Sequence, residues 1–142
     1  MKRKHHEQKF CTQLGKWWDY VGKDLFPNKV LVGEAKISVG TTPFNYKSGF
    51  KIHQVPTLHK YKTKATHWKI SDADTESTKH FDILMTNPGV TIACIPILWI
   101  RRGNNTFYLI DPDIIQDQID DGHKSLKEKE AKVLCFYKGE VR

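Results

Sequence analysis

Cysteine is scarce in this chain, and its spacing argues against two common classes of small protein. Cys11, Cys94 and Cys135 are the only cysteines among 142 residues, and no two of them form a C-x-x-C pair. Disulfide frameworks and structural zinc sites need more cysteines, or cysteines and histidines at ligand spacing. We therefore expect these three to be reduced core residues of a cytosolic protein.

Long hydrophobic runs and internal repeats are also missing. The longest apolar run, Val90 to Ile100, is too short to span a bilayer and contains Pro96. The chain shows no signal-peptide pattern. These absences predict a cytoplasmic protein without a membrane partner.

Charge is plentiful and unequal in sign. Lys and Arg number 23 against 16 Asp and Glu, which gives a formal net charge of +7. A basic surface favours association with polyanions but carries no information about the fold. The length and the 39% hydrophobic content predict a single folded domain over residues 1–142.

The stretch from Val30 to Ile37 predicts a strand that carries two charged residues. It is short and rich in β-branched and aliphatic residues, and turn-forming residues flank it on both sides. Because side chains alternate along a strand, Glu34 and Lys36 share one face. Apolar residues on both faces predict a strand that is covered on both sides. The plainer interpretation is an exposed Glu and Lys on an edge strand, since E-x-K is common in charged proteins.

Hydrophobic periodicity predicts the other elements of the first half. A first helix runs from Glu7 to Tyr20 and ends at Gly22. A second helix begins near Pro56 or carries it close to its start. Strands are predicted over Thr66 to Ile70, His80 to Met85, Val90 to Ile100 and Thr106 to Ile110, with Pro96 marking a bulge or an edge position.

Capping residues predict the last elements. Asp111 caps a short helix that ends at Asp121-Gly122. A capping box over Ser125 to Glu128 opens a final helix, while Val133 to Tyr137 also fits a terminal strand. The order of elements predicts an α/β (α+β) fold, a mixed sheet flanked by helices.

Three motifs resemble the core of a nuclease family. They are Gly33-Glu34-Ala35-Lys36, a polar loop with Pro43-Phe44, and Ile52-His53-Gln54 at the start of a helix. Together they are similar to RecU-type Holliday junction resolvases of the PD-(D/E)xK nuclease superfamily, over about Val32 to Tyr61, or roughly a fifth of the chain. Further on, Trp68 to Asp72 and Lys79 to Asp82 resemble stretches of phage-type proteins that look like relatives of that superfamily, with His80 where those proteins have Pro.

This resemblance implies a restriction-endonuclease-like fold and an endonuclease that depends on Mg²⁺ or Mn²⁺. Glu34 would be a metal ligand, and Lys36 would position the attacking water or stabilise the transition state. Gln54 would face the site from the start of the second helix. First-helix glutamates approach the site in this superfamily, so Glu7 is a further candidate beside its simpler role as a helix-dipole residue.

The chemistry needs a second carboxylate, and its identity is open. Phosphodiester hydrolysis develops negative charge that a hard cation between two carboxylates neutralises. The superfamily's first acid normally precedes E-x-K on a strand, and no upstream Asp has that context. Asp82 is the preferred replacement and Asp72 the second, although Asp82 also suits a solvent-facing strand and Asp72 a turn. We expect Glu34, Lys36 and one of these two aspartates to converge.

Basic residues mixed with aromatics predict contacts with phosphates, or else solvated charges. The candidates are Lys60, Lys62, Lys64, Arg101 and Arg102. The expected partner is branched or double-stranded DNA, and a homodimer is a candidate assembly. The leading function is a metal-dependent DNA endonuclease of DNA recombination, encoded by a phage and acting in the host cytoplasm. The alternatives are a non-catalytic nucleic-acid-binding protein on a degenerate nuclease scaffold and a small basic interaction protein.

Overall fold

The computed structural model describes residues 2–71, 81–102 and 105–141, without the side chains of 2–5, 66–71 and 81–86. Six α-helices occur in this part of the chain, and a π-helical turn over Trp18–Gly22 joins the first two. The helices are α1 (Lys2–Trp17), α2 (Lys23–Leu25), α3 (Tyr46–Gly49), α4 (Gln54–Thr63), α5 (Pro112–Asp120) and α6 (Glu128–Leu134).

Nine strands occur in the described residues, and five of them form the main sheet. The strands are β1 (Val30–Gly33), β2 (Lys36–Val39), β3 (Phe44–Asn45), β4 (Thr66–Ser71), β5 (Phe81–Thr86), β6 (Thr91–Ile100), β7 (Asn105–Ile110), β8 (Ser125–Leu126) and β9 (Tyr137–Val141). β1 and β2 both pair in parallel with β6, and β6, β7 and β9 follow in antiparallel order. β3 pairs with β8, and β4 with β5, in two separate antiparallel ribbons. The expectation of a mixed sheet with helices is confirmed.

The central strand β6 is buried on both faces, as its near-continuous apolar sequence predicts. Ile95, Ile97 and Trp99 join a core cluster that includes residues of α4, α5 and α6. Cys94 and Leu98 join a second cluster that contains Phe10 and Leu14 of α1. The sheet therefore lies between α1 on one side and α4, α5 and α6 on the other.

The first helix is longer at both ends than its sequence predicts. It begins at Lys2, so Glu7 lies beyond the first turn, and it continues past Gly22 to Leu25. Gly22 does not end the helix, because its φ of −60° is right-handed helical and not the left-handed angle of a glycine cap. Instead it is buried against indole rings, where an added Cβ would lie 2.5 Å from the Cε3 atom of Trp18.

The predicted Val30–Ile37 strand is interrupted at Glu34 and Ala35. The register with β6 is the same before and after the break, which places these two residues opposite Ile95 and Pro96. Proline has no N–H to donate to a sheet ladder, so the break lies where β6 has lost a donor. The predicted edge position or bulge at Pro96 is therefore wrong: β6 is a central strand, and the proline instead coincides with the interruption between β1 and β2.

The later elements agree with the sequence in part. α4 carries Pro56 as its third residue, within the first turn where proline is tolerated. The Asp111 side chain caps α5 by accepting from the Asp113 N–H at 2.8 Å. The capping box at Ser125 is wrong, because Ser125–Leu126 pairs with Phe44–Asn45 as a strand and α6 begins at Glu128.

The last described element is the strand β9, and the helix before it ends at Leu134 and does not reach Tyr137. All three cysteines are free, but only Cys94 is buried; Cys11 is exposed, which corrects the expectation for it. Among the described helices, none is both long and apolar enough to cross a membrane.

Candidate active site

Glu34 lies at the break between β1 and β2, beside a close approach of two strands. A Cβ added to the preceding Gly33 would lie 2.8 Å from the Cys94 carbonyl oxygen and 3.1 Å from Cδ of Pro96. Only glycine fits this approach without a shift of the backbone. The Glu34 side chain keeps 44% of its surface exposed, so its carboxylate is accessible to solvent and to a ligand.

Lys36 lies two residues further, at the start of β2, and its side chain is only 9% exposed. Its neighbour Ile37 packs with α1, so Lys36 points to the opposite face, toward α4. The ammonium Nζ lies 5.5 Å from the centre of the Phe50 ring, at a cation–π distance. The predicted division of the strand into two faces is thus observed in the packing of its side chains.

Gln54, the first residue of α4, connects the two charged groups. Its Nε2 donates to Glu34 Oε1 at 2.9 Å, and its Oε1 accepts from Lys36 Nζ at 3.0 Å. The same Oε1 accepts from the Lys51 backbone N–H, also at 3.0 Å. A flipped amide would point its NH₂ at two donors, so the network determines the orientation of the side chain.

The ion pair itself is loose. Lys36 Nζ lies 4.0 Å from Glu34 Oε1, at the limit of direct pairing, and Gln54 bridges the two through its amide. An ion pair that is half exposed on one side contributes little to stability. The arrangement instead positions a buried cation and an accessible carboxylate next to each other.

The Cys11 thiol of α1 is influenced by two carboxylates, those of Glu34 and Glu7. Although Cys11 is an exposed residue, partial desolvation of its thiol raises the pKa, and the negative charges of Glu34 and Glu7 raise it further. Both carboxylates therefore act on one thiol of α1. Glu7 lies one helical turn before Cys11 and beyond the first turn of α1, and its approach to Glu34 stays a prediction.

The structure does not decide which of the two candidate aspartates, Asp82 or Asp72, is the second ligand. Asp82 lies on β5, with its backbone opposite Ile70 of β4, and its side chain is outside the described residues. Asp72 also lies outside them. The structure thus brings together Glu34, Lys36 and Gln54, while the convergence of an aspartate with them stays a prediction.

The described residues fit a hard cation only in part. Within these residues no group of three or more His, Cys, Asp and Glu side chains is arranged to hold a metal. Glu34 offers one carboxylate, whose hydrogen bond and ion pair both involve Oε1. Gln54 is unsuited as a ligand here, because its oxygen already accepts two hydrogen bonds. In a two-carboxylate site, the second ligand would be Asp82, Asp72 or Glu7.

The basic residues expected to contact phosphates divide into two groups. Lys60, Lys64 and Arg102 are exposed. Lys62 donates to Asp111 at 2.8 Å and to Asp113 at 2.7 Å, and these hydrogen bonds raise its pKa. Arg101 is paired with Glu128. Lys62 thus joins α4 to the start of α5, and this structural role competes with its predicted contact to nucleic acid.

Two residues of the site, Phe50 and Lys51, were not among the candidates predicted from the sequence. Phe50 lies beneath the Lys36 ammonium, and the Lys51 backbone fixes the Gln54 amide. Both residues lie just before the His53-Gln54 pair in the sequence, and this proximity could have indicated that they belong to the site. His53 is exposed and makes no side-chain cap to α4.

Comparison of the chain with models of protein families, with curated proteins and with solved structures finds no significant match. These comparisons therefore assign no family to the chain.

Proposed function

We propose that this protein is a metal-dependent DNA endonuclease of the PD-(D/E)xK type, with Glu34 and Lys36 as its central residues. The observation that carries the proposal is the bridge from Gln54 to both of them. E-x-K residues that alternate on a strand are not unusual, but a buried, hydrogen-bonded ammonium beside an accessible carboxylate is an arrangement that occurs preferentially at functional sites. The local resemblance to RecU-type resolvases supports branched DNA, such as a four-way junction, as the substrate.

Each residue has a distinct role in this proposal. Glu34 would hold Mg²⁺ or Mn²⁺ together with Asp82, or with Asp72 or Glu7 in its place, and the cation would supply charge neutralisation at the phosphate. Lys36, buried and fixed, stabilises negative charge that develops on the phosphate oxygens or orients the attacking water. Gln54 would be a positioning residue, because its amide holds the Lys36 ammonium and the Glu34 carboxylate in place and would not itself contact the phosphate.

The proposal is tested by cleavage of a panel of linear duplex, single-stranded and four-way DNA with Mg²⁺ or Mn²⁺, against EDTA. Cleavage that requires the cation and is lost in Glu34→Gln supports it. Cleavage that is unchanged in Glu34→Gln would show that the chemistry lies elsewhere.

A second candidate is a nucleic-acid-binding protein on a degenerate nuclease scaffold. It is favoured by the hydrogen bond from Gln54 to Glu34 Oε1, because that bond competes with a cation for the same oxygen. In that case the wild type binds DNA with every cation tested and cuts none of the substrates in the panel.

A further inference from the structure

A basic cleft lies among α6, β7 and β9, and Arg101 is the one residue of its lining with a binding role predicted from the sequence. It has a volume of about 320 Å³. Its lining residues are Arg101, Thr106, Tyr108, Glu128, Lys129, Lys132 and Lys138. We call this site the α6 cleft. It uses none of the residues of the Glu34 network.

The charges of the α6 cleft are strongly unbalanced. Four cationic side chains stand against the single carboxylate of Glu128, which leaves a formal charge of +3. Lys129, Lys132 and Lys138 are exposed, and within the described part of the chain their ammonium groups make no hydrogen bond or ion pair. Like charges gathered around one concavity repel one another, so an anion bound there would relieve that repulsion.

The one carboxylate of the cleft is already engaged. Tyr108 is buried, and its hydroxyl donates to Glu128 Oε2 at 2.7 Å. The same oxygen accepts from the Arg101 guanidinium. The Tyr108–Glu128–Arg101 chain therefore fixes Arg101 at the wall of the cleft. Among the described residues, its other guanidinium N–H groups make no further hydrogen bond, so they can donate to a second acceptor.

We propose that the α6 cleft binds a phosphate group. A fixed guanidinium with three ammonium groups around it is the donor set that phosphate oxygens prefer, and such charge-assisted hydrogen bonds are stronger than neutral ones. The phosphate is either part of a nucleic-acid backbone or part of a free phosphorylated small molecule. The proposal does not depend on catalysis at Glu34, since it concerns binding alone.

The test uses a charge-removing double variant, Lys132→Gln with Lys138→Gln, in the full chain. Its matched control is Lys16→Gln with Lys23→Gln, which removes the same charge from exposed positions on α1 and α2. Calorimetry measures the affinity for inorganic pyrophosphate, and fluorescence anisotropy measures the affinity for a short DNA duplex as a function of salt. We expect the cleft variant to bind pyrophosphate about tenfold or more weakly than the control, a change of ~1.4 kcal/mol or more.

The DNA titration separates the two sources of phosphate. If the cleft takes the backbone of nucleic acid, the slope of log affinity against log salt falls by about two for the double variant, at ~0.9 per phosphate contact, and it stays unchanged in the control. If pyrophosphate binding falls while the DNA slope is unchanged, the cleft takes a free phosphorylated molecule. The proposal is overturned if the cleft variant and the control bind both ligands equally well.

Discussion

Replacement of Lys36 by Met is the sharpest single test of the proposed site. Met has nearly the same length and shape as Lys but carries no charge and donates no hydrogen bond. At this position, where the residue is only 7% exposed, Met fills the space of the lysine stem. We expect the variant to stay folded and to bind DNA, and to lose cleavage.

The expected effect on stability is small, and it follows from the contacts of Lys36. The variant loses the hydrogen bond from the ammonium to Gln54, and a bond to a charged group contributes about 1.5–3 kcal/mol. It also removes the cost of burying an ammonium, which offsets much of that loss. Gln54 Oε1 keeps the Lys51 backbone N–H as a donor, and Glu34 keeps its access to water. We therefore expect the free energy of unfolding to change by less than about 2 kcal/mol.

The expected effect on cleavage is large. Loss of a preorganised charge at the reacting group typically lowers the rate by about a hundredfold or more. One of 23 Lys and Arg residues contributes little to the total attraction for DNA, so affinity should change by less than about threefold. The assay pairs single-turnover cleavage with an anisotropy titration and with urea unfolding.

Lys51→Met is the matched control for this experiment. It makes the same chemical change on an exposed residue whose backbone N–H, and not its side chain, contacts Gln54. A wild-type rate in Lys36→Met would refute the assigned site. An equal loss of rate in both variants would attribute the effect to overall charge and not to the buried ammonium.

Three further predictions concern packing, charge and pH. Gly33→Ala should lower the free energy of unfolding by about 1–3 kcal/mol in urea, because the added Cβ would collide with the Cys94 carbonyl oxygen. Gly15→Ala, which has open space around it on α1, is the control and should be neutral or stabilising by up to about 1 kcal/mol. Equal effects of the two substitutions would contradict the close approach at Gly33. DNA affinity should fall steeply with salt because of the net charge of +7, and a salt-independent affinity would count against nucleic acid as the partner. Hydrogen bonds from Lys62 and His59 lower the pKa of Asp113 below its ordinary 3.8, so their stabilisation is present above that pH and is lost as the pH falls through the lowered value. The melting temperature of the wild type should therefore drop more than that of Asp113→Asn between about pH 5 and pH 2, and parallel curves would contradict this.

The local sequence pattern was sufficient to predict which side chains of the Val30–Ile37 segment share a face. Period-two alternation depends only on neighbouring residues, and it correctly separated Lys36 from Ile37. The start of α4 near Pro56 also followed from a local rule, the tolerance of proline in the first turn. Both features were set by a few consecutive residues.

The wrong predictions arose where packing or pairing overrode a simple local rule. Gly22 reads as a helix end, but the side chains that surround it are those of Trp17 and Trp18, five and four residues earlier; its glycine suits close packing against their indole rings and not a helix end. Ser125 reads as the start of a capping box, but its segment pairs with Phe44–Asn45 across about 80 residues of chain. Tertiary pairing decides such positions, and a single sequence does not show it.

The candidate site itself depends on one contact of this long-range kind. Gly33 and Pro96 lie more than sixty positions apart in sequence, and together they interrupt the pairing of the strand with β6 just where Glu34 stands. Pairing resumes at Lys36, which returns that residue to the buried interior of the sheet. The difference in exposure between the two side chains, 44% against 9%, follows from this break. An uninterrupted strand would give both residues the same surroundings, and the site would then lack either an accessible carboxylate or a shielded ammonium. We infer that the glycine and the proline define the site as much as the charged residues do.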